Sequence, residues 1–309
     1  MLRLALLFGV AAFCLLTAAP PDPRMLASID ALAFNHTHQL EEQAGDGFYC
    51  PMDPDVRAGR PGKCVRCGMQ LVEGAPDILE FPLDLRIDPA VPRVIEPTRL
   101  TFAITDPRTQ QPVRRFEVMH EKLYHVFVVS QDLQFFQHVH PERESDAESF
   151  HLDVRFPKAG MYRVLSDFYP GGGSPQLITN TLIVPGANVQ LTPAKIVADI
   201  GPQKSDNAEV KMSIVNDRVV ARRTATLMFD VGPKQGLERY LGTWGHMLTA
   251  SSDLVDIVHR HPVATPGNDG SKMQFDMLFS RPGVYRVWLQ FQRLGVVNTV
   301  AFNVPVMEK

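Results

Sequence analysis

A chain of 309 residues is too long for one small domain and suits two or three modules. Hydrophobic residues make up 45% and charged residues 21%, the balance of an ordinary globular chain. The net charge of −3 gives no electrostatic case for nucleic acid or an anionic membrane surface as a partner.

Met1-Leu2-Arg3 supplies one positive charge, Leu4 to Leu16 is apolar, and Thr17-Ala18-Ala19 offers small residues for cleavage. Residues 1–19 are therefore expected to be a secretory signal peptide, which places the mature chain in the periplasm or otherwise outside the cytoplasm. Pro20, directly after the cleavage point, leaves retention as a membrane anchor open; no later segment has the ~20 apolar residues that cross a bilayer. Residues 20–45 read as a linker, with a short helix expected over Arg24 to Leu32 and solvated histidines at His36 and His38. Once Cys14 leaves with the signal, Cys50, Cys64 and Cys67 remain, an odd number that cannot form a complete disulfide framework.

Residues 46–75 form a compact Cys/Met segment. Cys64-x-x-Cys67-Gly68 has the form of a metal knuckle: two thiolates three positions apart grip one ion, and glycine lets the backbone curl around it. Cys50 is expected to close on the same ion from across a short hairpin. Met52 and Met69 flank the thiolates, and soft thioether and thiolate donors favour Cu(I) and similar ions. A Cys64–Cys67 disulfide is the structural alternative in an oxidising compartment. The segment Tyr49-Cys50-Pro51-Met52 followed by Pro61-Gly62-Lys63-Cys64-Val65-Arg66-Cys67-Gly68-Met69-Gln70-Leu71 resembles the heavy-metal-binding domain of copper-transporting P-type ATPases and of periplasmic adaptors of heavy-metal efflux systems. That resemblance implies metal binding and an efflux or copper-transport component as partner. The family usually carries His after Cys-Pro-Met; here the position is Asp53, so the fourth ligand is Asp53, a methionine or a partner's residue.

The remainder contains an internal repeat, expected over residues 76–186 and 187–309. Leu123 to Pro141 aligns without a gap on Trp244 to Pro262, matching His125, Ser130, Asp132-Leu133 and His138-x-His140-Pro141 to His246, Ser251, Asp253-Leu254 and His259-x-His261-Pro262. Further on, Tyr162-Arg163-Val164 falls on Tyr285-Arg286-Val287, each after a Gly-containing turn. Short alternating strands and a repeat of about 110 residues predict an all-β fold: two immunoglobulin-like β-sandwiches behind the signal and the cysteine module. The tyrosines are candidates for tyrosine corners, and Trp288 and Phe291 are assigned to the core. The histidine hairpin followed by the Gly-Tyr-Arg-Val strand resembles β-sandwich modules of exported bacterial proteins, which implies the sandwich and little about activity.

His138 and His140 project from one face of a strand, about 7 Å apart. A hairpin centred on Gln131-Asp132 sets His125 opposite His138, making a triangle of His125, His138 and His140; the second copy repeats it with His246, His259 and His261, centred on Ser252-Asp253. His120 is expected to add to the first site; its counterpart by the same offset is Leu241, so the second site lacks it. The alternative is an edge strand ended by proline, with His125 a satisfied core histidine. Three imidazoles suit copper or zinc. Asp132 and Asp253 are expected to shape the hairpin turns, and no other acid suggests itself as a partner for the ligands.

Together these features predict an exported transition-metal-binding protein, with copper preferred over zinc, that sequesters or delivers metal without catalysing a reaction. Two alternatives stay open: a copper or zinc enzyme built on three histidines, and a docking module of an efflux complex in which the cysteine segment alone binds metal.

Overall fold

The computed structural model describes residues 47–309 except 54, 55, 67, 76–78, 147, 188, 190 and 216. The expected signal peptide, the linker with its helix, His36, His38 and Cys67 lie outside the described residues. Gly47–Lys309 is one compact unit, and among the described residues it is strands and turns throughout, without helix.

The cysteine module is a three-stranded antiparallel sheet of β1 (Phe48–Tyr49), β2 (Arg57–Ala58) and β3 (Val72–Glu73), with β1 in the middle. Its interior is Cys50, Cys64 and Leu71. So small an apolar core contributes only a few kcal/mol, so the module depends on its turns and on what it binds.

The first sandwich comprises β4 (Leu83–Asp88), β5 (Pro97–Ile104), β6 (Tyr124–Ser130), β7 (Phe136–Val139), β8 (Glu142–Arg143), β9 (Ser149–Arg155), β10 (Gly160–Phe168) and β11 (Gln176–Val184). One sheet has the order β4-β5-β9-β8 and the other β11-β10-β6-β7. The second sandwich repeats this with β12 (Gln203–Lys204), β13 (Glu209–Ile214), β14 (Val219–Val220), β15 (Thr224–Gly232), β16 (Leu237–Glu238), β17 (His246–Ser251), β18 (Ile257–Arg260), β19 (Lys272–Leu278), β20 (Gly283–Arg293) and β21 (Val296–Met307). Its sheets are β12-β13-β15-β19 and β14-β21-β20-β17-β18, with β16 also on β20. In both repeats the chain crosses between sheets as in an immunoglobulin-like sandwich. Both tyrosine corners are formed. Tyr162 OH donates to Lys158 O at 2.8 Å, and the one proton of Tyr285 OH has two acceptors in reach, Arg281 O at 3.1 Å and Asp256 Oδ2 at 2.9 Å.

In β5 only every second residue, Thr98, Leu100, Phe102 and Ile104, is buried, the alternation of a strand with one wet face. Strands β6 and β17 are buried at every position. Their two faces meet different partners. Tyr124, Val126 and Val128 fill the first sandwich. Phe127 and Val129, on the other face, join Leu133, Leu165, Leu248, Ala250, Leu254 and Trp288 in a cluster shared by the two repeats. The sandwiches therefore pack sheet against sheet, β10-β6-β7 facing β20-β17-β18. Trp288 lies in this shared layer, stacked on Phe136 with ring centroids 5.0 Å apart, while Phe291 belongs to the second sandwich's own core.

Candidate metal centres

Strand pairing places the histidines. In β6–β7, Val126 pairs with Val139 and Phe127 with His138; in β17–β18, Met247 pairs with Arg260 and Leu248 with His259. The hairpins are thus centred one step later than expected, on Asp132-Leu133 and Asp253-Leu254, and the register brings His140 rather than His138 opposite His125. The turn chemistry explains the shift. Ser130 Oγ donates to Asp132 Oδ1 at 2.6 Å, Gln134 N donates to the same oxygen at 3.2 Å, and Leu133 takes the left-handed conformation, φ 60°. Ser251, Asp253 and Leu254 repeat this. Asp132 and Asp253 shape turns, as expected. A slip of two residues keeps side chains on the same face, so the triangle survives the correction.

In the first triad His125 Nδ1 lies 3.0 Å from His138 Nε2 and 3.1 Å from His140 Nε2. In the second, His246 Nδ1 lies 3.4 Å from His259 Nε2 and 3.0 Å from His261 Nε2. His125, His246, His259 and His261 are buried, His138 is 9% exposed and His140 is half-buried.

The far ring nitrogens set the tautomers. His125 Nε2 donates to Met119 O at 2.8 Å, and a carbonyl can only accept, so Nδ1 of this ring carries a lone pair. His138 Nδ1 donates to Gln290 Oε1 at 2.9 Å, an orientation set by Gln290 Nε2 donating to Thr299 Oγ1, so His138 Nε2 carries a lone pair as well. The second triad has the same pattern: His246 Nε2 donates to Tyr240 O at 3.1 Å, and His259 Nδ1 donates to Asp167 Oδ2 at 2.7 Å. The first triad thus points two acceptor nitrogens at one another across a hydrogen-bond distance with no proton between them, and the second sets His246 Nδ1 against His259 Nε2 in the same way. Burial first, and neighbouring histidines next, hold His138, His246 and His261 well below the usual imidazole pKa; burial also lowers His125. His140 is lowered to about 3 by burial and by His125. Neutral His125 and His138 leave the repelling lone pairs of the first triad unrelieved by protonation. A four-coordinate ion with ligand nitrogens at about 2.0–2.1 Å would separate them by about 3.3 Å, and the donor set suits it.

The two triads are not separate edge sites. They face each other in the layer between the sandwiches. Ring centroids of His138 and His246 are 5.5 Å apart, and those of His125 and His259 6.3 Å, against 4.5 to 5.6 Å within the second triad. His120 joins the second triad, not the first as expected: its ring stacks on His261 with centroids 3.6 Å apart. The cause is a tight turn, Met119 to Lys122, whose central residues His120 and Glu121 have φ of 47° and 64° and which throws His120 across the interface. Burial, then His259 and His125, lower His120 to about 3, and its Nε2 is buried without a hydrogen bond among the described residues.

Sequence reasoning missed Asp167 and Gln290. Asp167 pairs with His125 across β10–β6, and Gln290 pairs with His246 across β20–β17. Yet each side chain reaches to the opposite repeat's hairpin. A polar residue inside the run Val164-Leu165-Ser166-Asp167-Phe168, matched by Gln290 inside Trp288-Leu289-Gln290-Phe291, was the available signal. His151 stands apart, half-buried with Nδ1 2.9 Å from Glu144 Oε1.

In the cysteine module Cys50, Asp53 and Cys64 are buried, and Asp53 Oδ2 lies 4.0 Å from Cys50 Sγ and 3.9 Å from Cys64 Sγ. Asp53 N and Arg66 N donate to Cys50 Sγ and Cys64 Sγ at 3.3 and 3.4 Å, contacts that favour thiolates. The Cys64 N–Met69 O and Gly68 N–Cys64 O bonds close the knuckle, with Gly68 at φ 79°. Asp53 Oδ1 also pairs with Arg66 Nη1 at 3.1 Å. Two sulfurs and a carboxylate on one point fit a soft or borderline cation, with Asp53 where a fourth ligand is needed. Met52 packs against this core. Met69 lines a cleft of about 600 Å³ with His120 and Trp244, where Ala264 N donates to Arg66 O at 2.9 Å.

These sites and strands define a protein with a small thiolate module and tandem β-sandwiches. Comparison agrees: residues 48–73 match the model of the heavy metal binding domain, and residues 83–185 and 203–308 match two copies of a family described as "Domain of unknown function (DUF8832)". The chain belongs to that family. No curated protein matches it. Among solved structures it is similar to a two-domain fibronectin type-III segment of chicken tenascin, at 12% identity over 73% of this chain and 99% of that one, TM-score 0.22. It is also similar to the chicken interferon gamma receptor alpha chain, at 11% identity over 74% and 98%, TM-score 0.22.

Proposed function

We propose that this is an exported copper-handling protein that holds metal at the cysteine module and at the histidine triads, and sequesters it or delivers it to an efflux or copper-transport component. The observation that carries the reading is the pair of buried acceptor nitrogens facing each other in each triad, His125 Nδ1 with His138 Nε2 and His246 Nδ1 with His259 Nε2. Neutral histidines gain nothing from that geometry without a cation. Thiolates favour Cu(I), imidazoles accept Cu(II) and Zn(II), and a protein holding both donor sets suits copper in either oxidation state better than zinc alone. The module stands beside the second sandwich, with Met69 and His120 on one cleft, which favours exchange between donor sets over isolated storage. Export is supported by the apolar run from Leu4 to Leu16.

The test is metal content of the mature protein, purified reduced and loaded with Cu(I), Cu(II) or Zn(II), alongside a Cys50/Cys64/Cys67→Ser variant. More than one copper per chain, with part lost in the variant, is expected. A parent chain that retains no metal defeats the reading. The mass of the exported protein tests cleavage near Ala19; an intact N-terminus on a cytoplasmic protein would defeat the export part.

A further inference from the structure

We propose that the two triads form one two-ion centre across the repeat interface and that it fills in order, the His246/His259/His261 site first and the His125/His138/His140 site second, with a borderline divalent transition-metal ion such as Cu(II) in each. The proposal rests on the metal-handling reading and adds the pairing and the order.

The pairing follows from geometry. Ring nitrogens converge within each triad at 3.0 to 3.4 Å, giving two points of convergence. Cross-triad ring separations of 5.5 to 6.3 Å are scarcely longer than those within a triad, so the two ions are close neighbours. A single ion would leave the other triad's acceptor nitrogens in uncompensated contact.

The order follows from the outer hydrogen bonds. A group that accepts from the far N–H of a metal-ligating histidine makes that ligand more basic, and an anion does so more than an amide. His259 is backed by the carboxylate of Asp167 and His138 by the amide of Gln290. Asp167 is 4% exposed, and its ion-pair partner among the described residues is His259. A buried carboxylate calls for positive charge opposite it. A cation on His259 Nε2 supplies it, through the ring, and no such demand exists at Gln290.

The experiment uses the full mature chain carrying Cys50→Ser, Cys64→Ser and Cys67→Ser, titrated with Cu(II) and followed by electron paramagnetic resonance and calorimetry. Expected are two coppers per chain in two steps. The first gives an isolated-ion spectrum, and the second broadens or removes that signal through spin coupling. Asp167→Asn, which keeps an acceptor for His259 but loses the charge, weakens the first step about 10- to 100-fold. A signal that merely doubles, a single ion per chain, or an Asp167→Asn variant with an unchanged first step would each overturn the proposal. If the serine variant holds no copper while the parent does, the paired centre fails and the metal-handling reading stands; if neither holds copper, both fail.

Discussion

Asp167 Oδ2 sits 2.7 Å from His259 Nδ1, although the two residues belong to different sandwiches. Gln290 makes the corresponding bond to His138 at 2.9 Å. Each repeat therefore orients a histidine of the other, and in an isolated sandwich each triad lacks one outer hydrogen-bond partner. Duplication alone gives two similar domains; this exchange of partners makes them one structure.

The shared layer should make the repeats unfold together. Trp288 is 3% exposed and stacks on Phe136 of the other repeat. Trp288→Ala should cost about 3–5 kcal/mol, the range for truncating a buried aromatic residue. In urea, monitored by circular dichroism, the parent should show one transition, and the variant an earlier midpoint or two transitions. A variant with the parent's midpoint would mean that the layer contributes little.

The two tyrosine corners should differ in strength. Tyr162 OH donates to Lys158 O alone, whereas Tyr285 OH shares its proton between Arg281 O and the Asp256 carboxylate. Tyr162→Phe should cost about 0.5–1.5 kcal/mol, and Tyr285→Phe more, because one of its bonds is to a charged group. Equilibrium denaturation of the two variants reads the difference, and equal losses would rule out a contribution from Asp256.

Much of this arrangement was legible in the sequence. The gapless match of His125 to His246 and of His138-x-His140-Pro141 to His259-x-His261-Pro262 marked the triads, and strand periodicity set their shared face. The hairpin register was not legible, because Leu133 and Leu254 adopt left-handed turns that leucine rarely takes. The facing of the triads was hidden for another reason: it depends on packing between repeats, which no local period encodes. The run Tyr124 to Ser130, apolar on both faces, was the trace it left, since a strand with one wet face alternates. His120 is expected at its own repeat's site, and the Met119–Lys122 turn carries it to the other.

The thiolate module should depend on Asp53. Asp53→Ala removes the oxygen that approaches both sulfurs and the ion pair with Arg66. Affinity for Cu(I) or Zn(II), measured by competition with a chromophoric chelator, should fall at least about 10-fold, the lower end of what loss of even an outer partner costs. Asp53→His should retain or raise affinity, since imidazole is the softer donor. Unchanged binding by Asp53→Ala would assign the fourth position to another residue.

The histidine cluster should make the metal-free protein acid-sensitive. His125, His138, His246 and His261 all have folded pKa values lowered by burial. In the unfolded chain an imidazole takes up its proton near pH 6.5. Below that value the unfolded state binds more protons than the folded state, so stability is fully present above about pH 6.5 and falls as the pH drops. Each such histidine contributes a slope of up to about 1.4 kcal/mol per pH unit, and repulsion between neighbouring rings helps to keep protons off the folded state. The melting temperature of metal-free protein should therefore decline steeply from pH 7 to pH 5. Bound metal should raise it at pH 7 and should stay bound below the usual imidazole range, since protons compete for the same nitrogens only near their lowered pKa values. A melting temperature flat from pH 7 to pH 5 would mean that these rings are already charged, or solvated, in the folded protein.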